Sequence, residues 1–186
     1  MTDDLKKALT LMKQFPDKKP GRDGNVFFSS ALDFDSEEGI VFNDYYKAVR
    51  ILEEPANKGG ADAQFAIGII YLDAPCSIRN VETAAGWLSK AAAQGHAGAQ
   101  FRLGEIYASG ERLKQDFNEA VKWYKKAAAQ GNAGGQLGLG ICYANGTGVP
   151  QDNKIAIELL EKSAAQGNVF AEHNLYIVRQ NVENKP

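Results

Sequence analysis

Asn118-Glu-Ala-Val-Lys-Trp-Tyr-Lys-Lys-Ala-Ala-Ala-Gln-Gly131-Asn-Ala-Gly-Gly-Gln-Leu-Gly-Leu-Gly140-Ile-Cys-Tyr143-Ala-Asn-Gly146-Thr-Gly-Val-Pro150 is the stretch that decides the fold. In its first half, positions 120, 121, 123, 124, 127 and 128 are apolar. They recur at three- and four-residue steps and form one face of a helix. Asp116 is placed to cap the helix start, and Gly131 to end it in a left-handed conformation. The second half, Ala133 to Asn145, repeats the pattern with Leu137, Leu139, Ile141 and Tyr143. The run from Gly146 to Pro150 then breaks it. The unit is a helix hairpin: helix A, a tight glycine turn, helix B.

The same template recurs at a step of 36 residues. Gly59, Gly95, Gly131 and Gly167 follow it, as do Ala48, Ala84, Ala120 and Ala156. So do Tyr71, Tyr107 and Tyr143, with Arg179 in the fourth place. A fixed period of this length means stacked helix pairs that share a continuous core. The predicted fold is an all-α solenoid of four hairpins, at about 44–79, 80–115, 116–151 and 152–183. The alanines let helix A approach its neighbours closely. Gly68, Gly104 and Gly140 have the same meaning in helix B, because a mid-helix glycine costs about 1 kcal/mol relative to alanine and needs close packing in return. Tyr176 in the fourth place marks the unit with nothing stacked beyond it, and the polar tail from Arg179 to Lys185 reads as a terminal cap. Gln64, Gln100 and Gln136, with Glu172 fourth, read as a structural ladder rather than a functional one.

The string from Ala120 to Asp152 closely resembles the Sel-one-like repeat family, a relative of the tetratricopeptide repeats. The resemblance covers roughly residues 44–183. The first unit departs at Ala74, Pro75 and Cys76, where the family has a Gly-x-Gly turn, and the fourth departs in helix B. What the resemblance implies is a right-handed superhelix with helices A on the concave face. It also implies an adaptor role toward protein partners in signalling, assembly at membranes, or bacterial host interaction and toxin neutralisation. Some secreted bacterial members carry a disulfide in each hairpin. That pattern is missing here, which speaks against a secreted assignment.

Residues 1–43 do not fit the template and are expected to cap the first unit; folding back into the groove is the alternative. Asp4 to Lys13 reads as a short helix. Val26-Phe27-Phe28 and Ile40-Val41-Phe42 suit a small β-hairpin. A helical turn through Ser30 to Phe34 competes with it, and periodicity does not decide.

The chain has 186 residues with a net charge of −2 and a pI near 5.7. It carries no global basic field to attract nucleic acid or an anionic membrane. The start, Met1-Thr-Asp-Asp-Leu-Lys-Lys, is not a secretory signal. No apolar run reaches the roughly 18 residues of a membrane span. A cytoplasmic monomer is expected. The two cysteines, Cys76 and Cys142, read as unpaired thiols, Cys142 being a small core residue.

Binding in a solenoid falls on solvent-facing positions that differ between units. On helices A these are Tyr46, Arg50 and Glu53; Glu82, Gly86 and Ser89; Asn118, Lys122 and Lys125; and Lys154, Glu158 and Glu161. Gly86 leaves a gap between Arg50 and Lys122 that suits an acidic side chain or a C-terminal carboxylate. A plain solvated charged face is the competing reading. Trp87 and Trp123 fall on the apolar stripe and are expected in the core, and Tyr46 is the aromatic contact candidate.

His96 and His173 stand 77 residues apart with no metal-ligand pattern around them. No nucleophile elbow, phosphate loop or dinucleotide fingerprint is present. No cofactor, metal or catalytic residue is expected. The function read from the sequence is a non-catalytic scaffold that binds a peptide or partner protein on its concave face. The alternatives are a dedicated immunity protein that neutralises one toxin or effector, and an enzyme whose site joins the N-terminal segment to His96 or Cys76.

Overall fold

The computed structural model describes residues 37–73, 79–110 and 113–183, with side chains from residue 45 on. Among these residues there are eight helices and no strand: α1 (Glu37–Asn57), α2 (Ala61–Asp73), α3 (Val81–Ala93), α4 (Ala97–Ser109), α5 (Phe117–Ala129), α6 (Ala133–Asn145), α7 (Asn153–Ala164) and α8 (Val169–Glu183). Odd-numbered helices are helices A, and even-numbered ones helices B. Ile40, Val41 and Phe42 lie inside α1, so the hairpin expected there does not form. Three consecutive apolar residues carry no period, and α1 extends upstream of its template by seven residues, from Glu37 rather than residue 44. The expected helix at Asp4–Lys13, the strand at Val26–Phe28, Cys76 and the departing loop around it lie outside the described residues. No described helix is long and apolar enough to cross a membrane.

The tight A-to-B turn follows from local chemistry. In unit three Gly131, at φ +79°, donates its N–H to Ala128, and Asn132 donates to Ala127, so both carbonyls at the end of α5 are satisfied. The Asn132 carboxamide then accepts from the Gly135 N–H and caps α6. One residue thus closes one helix with its backbone and opens the next with its side chain. Asn168 does the same in unit four, and His96 in unit two, where imidazole Nδ1 accepts from the Ala99 N–H at 3.1 Å. The return connection is also repeated. The N–H groups of Asn80, Asp116 and Asp152 donate to the carbonyls of Tyr71, Tyr107 and Tyr143. Each then caps the following helix A.

Packing between units explains the small residues. A Cβ on Gly68 would come within 2.6 Å of Leu88, one on Gly104 within 2.4 Å of the Tyr124 ring, and one on Gly140 within 3.0 Å of Leu160. Each pair joins a helix B to the helix A of the next unit. Leu88 and Leu160 are fully buried. Burying such a side chain contributes about 1.5–3 kcal/mol, more than the roughly 1 kcal/mol the glycine costs its helix. Ala48, Ala84, Ala120 and Ala156 have no exposed surface.

The glutamines lock the stack. Gln64 Nε2 donates to the Ala56 carbonyl at 2.9 Å, and Gln100 Nε2 to Ala92 at 3.1 Å. Their side-chain oxygens accept from Gln94 and Gln130 of the following unit at 2.8 Å, and Gln136 accepts likewise from Gln166. All three are buried, and the ladder is structural, as the period suggested.

Candidate functional site

The exposed side of each helix A is set by the geometry that buries the other side. In α3, Val81, Ala84, Leu88, Ala91 and Ala92 point inward, which turns Glu82, Gly86 and Ser89 out; α5 and α7 follow the same register. Every residue singled out for partner contact is solvent-exposed: Tyr46, Arg50 and Glu53 on α1, Glu82, Gly86 and Ser89 on α3, Asn118, Lys122 and Lys125 on α5, and Lys154 and Glu158 on α7.

The charges on this face differ in how they are held. Lys122 Nζ is 2.7 Å from Glu119 Oε2. That hydrogen bond, with the carboxylate charge, raises the ammonium's pKa above the usual lysine range. Lys122 is therefore a cation with a local partner. Arg50 and Lys125 make no hydrogen bond or ion pair with another described residue. Glu161 is tied to Arg179 at 2.6 Å, joining the two helices of unit four. Gly86 is open, since a Cβ there would meet no atom within 4 Å.

The indoles belong to the stack. Trp87 packs on the cluster around Leu52 and Ile67, and Trp123 on the cluster around Leu88 and Leu103. Both are half-buried rather than fully enclosed, and Lys90 and Lys126 lie over their rings at 4.2 and 4.1 Å from the centroids. Tyr46 is about half exposed, at 47 %.

Residues weighed for chemistry have structural places. His96 caps α4 and stacks on Phe65 with ring centroids 4.3 Å apart. His173 is exposed on α8. Cys142 is buried, and burial pushes its thiol pKa up, opposed by a hydrogen bond from Thr147.

Two features were not anticipated. The last helix is not a polar cap, since it exposes Val169, Phe170, Tyr176, Ile177 and Val182. The polar letters from Arg179 onward hid this, because all of these apolar residues but Val182 lie before Arg179. A cavity of about 380 Å³ also opens between α6, α7 and α8. Its signal was available one period upstream, where the bulkier Tyr124 and Phe117 stand in the places of Leu160 and Asn153.

Stacked helix hairpins with a repeat-locked interior define an α-helical repeat protein. The Sel1 repeat model matches residues 61–96, 97–132 and 133–168, more than half of the chain. Each matched window begins with a helix B and runs through the next helix A. The chain belongs to the Sel1 repeat family. Among solved structures, it is similar to a Sel1 repeat protein from Oxalobacter formigenes, with 38% identity and a TM-score of 0.60 over 67% of this chain and 94% of that one. It is also similar to c5321, a protective antigen of uropathogenic Escherichia coli strains with an SLR fold. Identity there is 34% and the TM-score 0.62, over 66% of this chain and 26% of that one. Helicobacter pylori cysteine rich protein B, at 24% identity, shares the fold, with a TM-score of 0.57 over 76% of this chain and 99% of that one. No curated protein matches the chain.

Proposed function

We propose that this protein is a non-catalytic scaffold that holds a peptide or a partner protein on the outward face of helices A. Proteins built from these repeats generally mediate protein–protein interactions. One observation carries the assignment to this face. On helices A the residue identical in every unit, Ala48, Ala84, Ala120 and Ala156, is buried and used by the stack, whereas the positions that vary along α1, α3, α5 and α7 are exposed in one register. Arg50, open Gly86 and Lys122 stand at equivalent positions on three successive helices A. Two cations flanking a gap suit a carboxylate on the partner.

The test combines capture with position. Wild type and Arg50→Glu/Lys122→Glu are used to capture partners from native lysate. In parallel, a photo-crosslinking residue replaces Ser89. The reading expects one protein retained by wild type, lost with the charge reversals and crosslinked through position 89. Equal capture by both proteins without a crosslink at 89 would move the binding face elsewhere.

A further inference from the structure

The last junction between units differs from the two before it. At each junction a groove runs between successive helices B, above the next helix A. Between units one and two Leu88 packs over Gly68, and the Arg102 guanidinium on the following helix B lies 3.4 Å from Asp73 and 3.0 Å from Glu105. Between units two and three the groove is filled by the ring of Tyr124. A Cβ on Gly104 would come within 2.4 Å of that ring, and one on Gly138 within 2.8 Å. One period further on, Phe117, Tyr124 and Gly138 become Asn153, Leu160 and Asn174. Two aromatic rings are lost, and the carboxamide on the old glycine does not replace their volume. A cavity of about 380 Å³ opens at this junction, with Asn153, Leu160 and Asn174 in its lining.

Its lining has a definite chemistry. Ile141, Leu160, Ile177 and Val178 form an apolar floor. The other lining residues include Asn145, Gln151, Asn153, Asn174 and Asn181, and no charged side chain is among them. Gln151 donates to the Ala144 carbonyl and Asn174 to the Phe170 carbonyl. The side chains of Asn145, Asn153 and Asn181 make no hydrogen bond with another described residue.

We propose that this cavity binds an uncharged peptide segment that inserts one aromatic side chain. An aromatic ring suits the space, because one unit earlier the ring of Tyr124 stands in the place from which the smaller Leu160 lines this cavity. A carboxamide both donates and accepts, matching the C=O and N–H groups of an extended backbone. A charged ligand would lose hydration without meeting a counter-charge. The volume falls within the roughly 300–1,000 Å³ of ligand pockets. The site shares no residue with the outward face of helices A, so the two assignments stand or fall separately.

The experiment titrates the ¹⁵N-labelled full chain with acetyl-Gly-Phe-Gly-amide, and with the Ala and Asp analogues, by two-dimensional NMR. The expected result is saturable shifts in the side-chain amides of Asn145, Asn174 and Asn181 with the Phe peptide, and binding at least about tenfold weaker with the other two, a tenfold change being about 1.4 kcal/mol. Asn153→Phe/Leu160→Tyr/Asn174→Gly rebuilds the preceding junction and should abolish the shifts. If circular dichroism shows that this variant is not folded, Asn174→Phe, a change at the half-buried rim, replaces it. Four outcomes overturn the proposal: no saturable shift at those amides, equal binding of the Ala peptide, undiminished binding to a folded variant with the cavity filled, or concentration-dependent broadening without peptide that the filled variant removes. The last would make a second copy of this chain the occupant.

Discussion

A single substitution, glycine to alanine, is expected to have opposite signs at two helical positions of this chain. Gly86→Ala adds a Cβ that meets nothing within 4 Å, so it should stabilise by about 0.5–1 kcal/mol through helix propensity alone. Gly104→Ala forces a Cβ to within 2.4 Å of the Tyr124 ring, which is flanked on its other side by Gly138, and should destabilise by about 1–3 kcal/mol. Urea unfolding of both variants measures the contrast. The same ring gives a pH dependence. Burial, with smaller contributions from Glu105 and Cys142, raises the Tyr124 phenol well above its ordinary pKa. Its contribution to stability is therefore complete below the unfolded value of about 10 and is lost as pH rises through the folded one. Tyr124→Phe should flatten that alkaline loss. A weaker slope will remain, because Tyr71 is also raised, chiefly by burial. Gly104 was legible in the sequence because its period is that of the hairpin. His96 as a helix cap was not, because imidazole is an uncommon cap. Only translation by 36 residues onto Asn132 and Asn168 exposes the role.

At the scale of the element, each of the first three hairpins is keyed to the next by one buried glutamine. Gln100 serves the Ala92 carbonyl behind it and the Gln130 amide ahead of it. Gln100→Leu leaves both unpaired and should cost about 1–3 kcal/mol. Gln130→Ala removes the exposed partner and should cost less. Thermal unfolding of the two variants gives the order. The helix limits were readable where caps and breakers flank a periodic run, as at Ala133–Asn145. They were not readable at Ile40–Phe42, where a short apolar triplet carries no period that separates strand from helix. Which side of helices A is exposed was readable because the other side is a continuous stripe of buried residues at helical spacing. The exposed apolar residues of α8 were not foreseen, because they replace small residues of the template: Tyr176 stands where Gly68, Gly104 and Gly140 do, and Val169 where Ala61, Ala97 and Ala133 do.

For the whole molecule, cooperativity should fade toward the C-terminal end. Unit contacts are between nearest neighbours, and α8 buries only Ala171 and Val178 where α4 buries five residues. Native-state hydrogen exchange is expected to show the slowest amides in α3 to α6, with α8 opening at lower free energy. Equal protection in α4 and α8 would contradict a nearest-neighbour stack. The tightest inter-unit contacts join a helix B to the helix A that follows it, and the family's repeat window preserves that pair. Unequal crossover or duplication that adds or removes one 36-residue window within the array keeps each glycine opposite a leucine or tyrosine. Tyr176 ends that freedom, since its side chain stands where another helix A would have to approach. A copy inserted between existing units therefore preserves the glycine contact, whereas one packed against Tyr176 would not.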